Sequence, residues 1–165
     1  MRILSWMSAA VITCSLAGAV RADEEKVPLD KVPKTVMDAA KKRFPGAEWV
    51  GASKETEDGK TVYEVELKDK GQHVDATFTT EGGLVSLEKT IKESALPKAV
   101  SGGIAKKYPG AKYEIVEEVW HVKDGKEFLA YYEAVVATTD KKKFEVEVTA
   151  DGTIKKTEEK KGEKD

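Results

Sequence analysis

The chain is short of cysteine, with one in 165 residues, at position 14. It is also short of histidine, with two, and of aromatic side chains, at 7%. Each shortage excludes something. Residues 23–165 contain no thiol for a disulfide, a thiolate metal site or a cysteine nucleophile. An exported chain of that kind must rely on packing alone. Two histidines leave little material for general bases. Past residue 20 no apolar run approaches the roughly 20 residues that a spanning helix needs. Nor is there an excess of either charge: Lys+Arg total 28 and Asp+Glu 30, a formal net charge of −2. No strongly basic face is implied, which argues against nucleic acid. What is present, 40% hydrophobic and 35% charged residues, suits a globular protein with a small core.

The first segment reads as an address. Met1-Arg2 precedes a mostly apolar stretch from Ile3 to Val20, then Val20-Arg21-Ala22. A positive start, an apolar run and a small-x-small site predict a secretory signal cut after Ala22, with Ala19 as the alternative. Ser5, Ser8, Thr13, Ser15 and Gly18 interrupt the run and make it a poor permanent anchor. Thr13 likewise makes Cys14 a poor lipidation site. The expected location is periplasmic or secreted, with no stable membrane insertion after cleavage. The remaining chain carries a net charge of −4.

After the leader the sequence is written twice. Val32-Pro33-Lys34 matches Leu96-Pro97-Lys98, and Phe44-Pro45-Gly46-Ala47 matches Tyr108-Pro109-Gly110-Ala111, each 64 residues on. Seven of the sixteen positions between 32 and 47 are identical to those between 96 and 111. The offset then grows: 66 at Asp58-Gly59 and Asp124-Gly125, 69 at Tyr63-Glu64 and Tyr132-Glu133, and 70 at Glu81-Gly82 and Asp151-Gly152. Insertions gathered in one hairpin, with both ends aligned, are what a duplicated unit should show.

Each copy predicts one helix followed by four strands. Val32, Val36, Ala40 and Phe44 make one apolar stripe, and Leu96, Val100, Ile104 and Tyr108 repeat it. Pro33 and Pro97 suit the first helical turn, while Pro45 and Pro109 stop the helices. Gly102-Gly103 weakens the second helix without an evident reason. Asp58-Gly59 and Asp124-Gly125 mark hairpins. Tyr63, Val65 and Leu67, then Val74, Ala76 and Phe78, alternate with polar residues, as do Phe144, Val146 and Val148. The expected fold class is α+β: two tandem repeats, each with one helix packed on a four-stranded antiparallel sheet, the sheets able to join edge to edge. The divisions are 1–22 signal, 23–93 first repeat, 94–157 second repeat, and 158–165 a charged disordered tail.

The aromatic-Pro-Gly-Ala helix end, the Asp-Gly hairpin, the Tyr-x-Val strand and the closing acidic-Gly turn together resemble the PepSY-like family, also described as similar to the β-lactamase inhibitor protein. The motif stands at Phe44–Ala47, Asp58-Gly59, Tyr63–Val65 and Glu81-Gly82, and again at Tyr108–Ala111, Asp124-Gly125, Tyr132–Ala134 and Asp151-Gly152. The resemblance implies secreted or periplasmic proteins with binding or inhibitory roles. The inhibitor is disulfide-stapled and residues 23–165 have no cysteine, so no inhibitory contact residues are carried over.

No catalytic set emerges. Ser86, Ser94 and Ser101 lack a nucleophile-elbow setting, and nothing near His121 marks a general base's partner. His73 and Asp75 share a strand face and offer two metal ligands, yet the matching positions carry Lys143 and Glu145. A solvated pair is the plainer reading, so no cofactor and no metal site are assigned. One feature stands out. The core set of the second repeat should be Phe128, Ala130, Tyr132, Ala134 and Val136. The alternates Leu129, Tyr131 and Val135 are also apolar, and Trp120 and Val122 are expected on their face. That face predicts either contact between the repeats or a docking surface with Trp and Tyr anchors. The expected role is a non-enzymatic module docking an unknown protein or peptide through Trp120, Val122, Leu129 and Tyr131, with Asp58 and Asp124 at the hairpin tips. The alternative is an envelope small-ligand or metal-binding protein.

Overall fold

The computed structural model describes residues 25–57 and 59–160. The signal segment, Cys14 and Asp58 lie outside the described residues. A short strand β1 (Glu25–Lys26) leads through a 3-10 turn into helix α1 (Lys34–Arg43). Strands β2 (Glu48–Glu57), β3 (Lys60–Asp69), β4 (Gln72–Thr79) and β5 (Leu84–Thr90) follow. A second 3-10 turn and helix α2 (Lys98–Lys107) precede β6 (Lys112–Lys123), β7 (Lys126–Ala137), β8 (Lys143–Val148) and β9 (Ile154–Lys160). All nine strands form a single antiparallel sheet in chain order, an α+β arrangement. The join runs between β5 and β6, from Ser86 opposite His121 to Thr90 opposite Glu117.

Each helix arises from its stripe. Val32, Val36, Ala40 and Phe44 are all buried, against Val65, Leu67, Val74, Ala76, Phe78 and Leu87. Val100 and Ile104 are buried against Val116, Tyr132, Ala134, Val136, Val146 and Val148. Full burial of one such side chain contributes about 1.5–3 kcal/mol. The prolines fall one residue earlier than expected, as caps: Pro33 and Pro97 have ψ of 137° and 142°, outside the helix. The ring's fixed φ still sets the entry angle. At the other end the Phe44 and Tyr108 amides donate to Ala40 and Ile104, both at 2.8 Å.

Local geometry recurs at the offsets of the sequence matches. One extra residue bulges β2 at Val50 and β6 at Glu114. Another bulges β5 at Val85 and β9 at Lys155. In the β4–β5 turn Thr79 N–H donates to Gly83 O and Gly82 N–H to Thr79 O; Thr149, Thr153 and Gly152 repeat the pattern between β8 and β9. Gly82 and Gly152 have φ of +84° and +87° and touch the first turns of α1 and α2. Gly103 now has its reason. A Cβ there would stand 2.2 Å from Gly152 O, so the missing methyl lets α2 close on that turn. Gly102 has no such neighbour.

Two further expectations change. Residues 158–160 are not a loose tail: β9 continues to Lys160, because the backbone of β8 offers a full row of partners whatever the side chains. In addition, β7 carries a bulge with no counterpart in β3. Val119 faces Tyr131 and Trp120 faces Leu129, so Ala130 is extra. One added residue reverses the alternation. Tyr132, Ala134 and Val136 stay in the core, whereas Phe128 is turned out and is 45% exposed.

Candidate functional site

Both helices lie on the same side of the sheet. Leu87 in the first cluster stands opposite Trp120, which packs on that cluster; Glu118 and Val116 follow on the same face of β6, and Val116 belongs to the second. The other side of the sheet is left uncovered by helices. Cross-strand pairing lays its side chains out in rows. One row reads Glu66, Asp75, Glu88, Val119 and Tyr131 across β3 to β7. A second reads Glu64, Thr77, Ser86, His121 and Phe128. A third holds Thr90, Glu117, Glu133, Glu147 and Lys156, and His73 lies at its near end.

Where the rows cross β4 to β7, they wall a cavity of about 510 Å³. Its lining includes Glu64, Asp75, Glu88, Glu117, Glu133 and Glu145, with His73 and Lys160 as the basic groups. His73 Nδ1 lies 3.7 Å from Asp75 Oδ2. The Thr90 hydroxyl donates to Glu117 at 3.0 Å and fixes its orientation. Glu145, almost wholly buried, is paired with Lys160. Tyr113 borders the cavity; burial, and then the charge of Glu93, raise its phenol above the ordinary value. So many carboxylates in one concavity attract cations.

Sequence reasoning placed Trp120, Val122, Leu129 and Tyr131 on one face. The Ala130 bulge separates them. Tyr131 is on the open face, where His121 meets its ring at 5.8 Å and that of Phe128 at 6.1 Å, both edge-on. Trp120 and Leu129 point to the helix side and pack on the two cores. The Trp120 indole donates to Glu118 at 3.1 Å, with Lys89 Nζ 5.1 Å from its ring centre. Val122 is half-buried opposite Glu127, which pairs with Arg43 of α1 at 2.8 Å. Asp124 sits exposed at the β6–β7 tip, with φ +51° beside Gly125 at +71°, a type I′ turn. The convergence of Glu88, Glu117 and Glu133 on His73 and Asp75 was missed. Only strand register brings them together, and the sole sequence hint was their alternation with apolar neighbours.

Comparison with known families fits this frame. Two family models match the chain. Residues 33–77 match PepSY, "Peptidase propeptide and YPEB domain", and residues 85–156 match PepSY_like, "Putative beta-lactamase-inhibitor-like, PepSY-like". The first match runs from the start of α1 into β4; the second spans β5 to β9 with α2. Similar folds occur in solved Bacteroides structures. A DUF2874 family protein from Bacteroides uniformis is 20% identical, with 77% of this chain and 88% of that one covered at a TM-score of 0.60. A protein from Bacteroides eggerthii named as periplasmic is 18% identical, covering 78% and 88% at 0.61. A BLIP-like protein from Bacteroides fragilis is 16% identical, covering 76% and 84% at 0.54. No curated protein matches the sequence. No helix among the described residues is long and apolar enough to cross a membrane.

Proposed function

We propose that the chain is an exported, non-enzymatic binding module, built from two copies of one PepSY-like unit, that docks a Lys- and Arg-rich protein or peptide segment on its open sheet face. One observation carries this reading: the helices cover a single side of the sheet, and the other side presents a carboxylate-lined cavity beside the His121, Phe128 and Tyr131 rings. Aromatic anchors next to complementary charge are what a docking surface needs. The recurrence of bulges, caps and turns at matching offsets supports the duplication, with the units at 23–93 and 94–157. The Bacteroides eggerthii neighbour named as periplasmic, and the signal-like residues 1–22, support a periplasmic or secreted location. The family matches and the BLIP-like neighbour support a binding or inhibitory role rather than catalysis.

The test is capture of partners from the native envelope fraction, followed by titration of the captured protein. Tyr131→Ala and Glu133→Gln should weaken binding about tenfold, and added salt should weaken it further. Lys41→Ala, on exposed α1, should not. Binding that survives the two open-face changes, or that grows with salt, contradicts the reading.

A further inference from the structure

We infer that the open face holds a site for one divalent first-row transition ion, of the Zn²⁺ kind, between His73, Asp75 and Glu117. This goes beyond the docking reading and does not depend on it. The three side chains come from β4 and β6, on either side of β5. One ligand atom from each lies within 4.8 Å of the others. Each donor then needs only a small side-chain movement to reach a common ion at the roughly 2.0–2.2 Å typical of zinc.

The donor chemistry selects the ion. Carboxylates alone would suit calcium or magnesium, and a second overlapping group, Glu88, Glu117 and Glu133, has that character. The imidazole of His73 makes the first group different, because neutral nitrogen ligands favour zinc and its neighbours over the hard cations. His73 and Asp75 alternate on one strand, so both project to the same side. Glu117 is held by the Thr90 hydroxyl at 3.0 Å, the kind of outer contact that orients a metal ligand. Three protein donors leave room for water, which the adjoining cavity supplies. His121 lies elsewhere on the face, among aromatic rings, and takes no part.

The ion would lie across the seam. His73 and Asp75 belong to the first half, Glu117 to the second. Residues 23–165 have no cysteine with which to tie the halves covalently. A metal bound only by the folded sheet would tie β4 to β6 and raise stability by mass action.

The experiment is calorimetric titration of the metal-free protein with Zn²⁺ and, separately, with Ca²⁺, followed by thermal unfolding with and without each ion. The expected result is one Zn²⁺ per chain and a higher Tm in Zn²⁺. His73→Ala and Glu117→Gln should each raise the Zn²⁺ dissociation constant about tenfold or more, while His121→Ala leaves it unchanged. Each variant's own cooperative unfolding shows that it has folded, since all three positions are at least partly exposed. No Zn²⁺ heat, or Zn²⁺ binding lost only in His121→Ala, overturns the site. So does a Ca²⁺ response stronger than that to Zn²⁺ and indifferent to His73→Ala, which would assign the face to the all-carboxylate group.

Discussion

The two halves keep one frame and spend it differently. Caps, bulges and the acidic-Gly turns recur at matching positions, yet the uncovered face does not. Positions 73 and 75 of β4 carry His and Asp, which pair with each other and line the central cavity. Their counterparts in β8, Lys143 and Glu145, pair elsewhere: Lys143 with Glu114 at 2.8 Å, and Glu145 with Lys160 of the edge strand. The β6–β7 hairpin is longer than β2–β3 and adds the Ala130 bulge, which brings Phe128 to the surface and leaves Tyr131 beside His121. Backbone geometry is tied to residues that the fold cannot lose. Most open-face side chains stand outside the two buried clusters, and there the halves carry different chemistry.

The comparison can be broken first in the cores. Phe78 and Val148 occupy matching places and are both fully buried. Phe78→Ala should cost about 3–5 kcal/mol, and Val148→Ala clearly less, because valine has fewer buried atoms to lose than phenylalanine. Equal losses in urea unfolding would mean that the two cores are not partitioned as the buried clusters indicate.

A second contrast lies within Gly102-Gly103. Gly103→Ala puts a methyl against Gly152 O and should destabilise by about 1–3 kcal/mol, although alanine is the better helix former. Gly102→Ala meets open space and should stabilise by about 0.5–1 kcal/mol. Opposite signs in thermal unfolding sharpen the account of why α2, unlike α1, needs a glycine where it meets its turn. Like signs would remove it.

The smallest effect concerns acid. The hydroxyl of Thr80 holds the Glu81 carboxyl below its ordinary value, and that of Thr149 does the same for Asp151 in the matching turn. A carboxyl with a lowered folded-state pKa stabilises the fold above its unfolded value, and this is lost as pH falls through the folded one. Both turns should therefore loosen below about pH 4, the ordinary carboxylate range. Amide exchange at Gly82 and Gly152 should accelerate together; acceleration at one alone would break the parallel.

The helices, strand order and most of the core were legible because apolar period and turn chemistry are local signals. Val36 and Ile104 announce their burial by spacing alone. Ala130 does not announce that it is extra, and that single bulge puts Leu129, opposite Trp120, on the helix side while Tyr131 stays on the open face. The carboxylate cavity was hidden for a different reason. Glu88, Glu117 and Glu133 look like ordinary wet-face residues until the β5–β6 pairing puts them beside Asp75. Residues 158–160 were misread as loose because composition conceals how readily a strand edge recruits backbone, while 161–165 lie outside the described residues.

Amide chemical-shift mapping tests the open face most directly. The labelled protein, kept in chelator so that no metal competes, is titrated with a Lys- and Arg-rich peptide. The account predicts salt-sensitive shifts concentrated at Glu88, Glu117, Tyr131 and Glu133 on β5 to β7, with α1 and α2 unmoved. Shifts centred on the helices, or none along these strands, would contradict it.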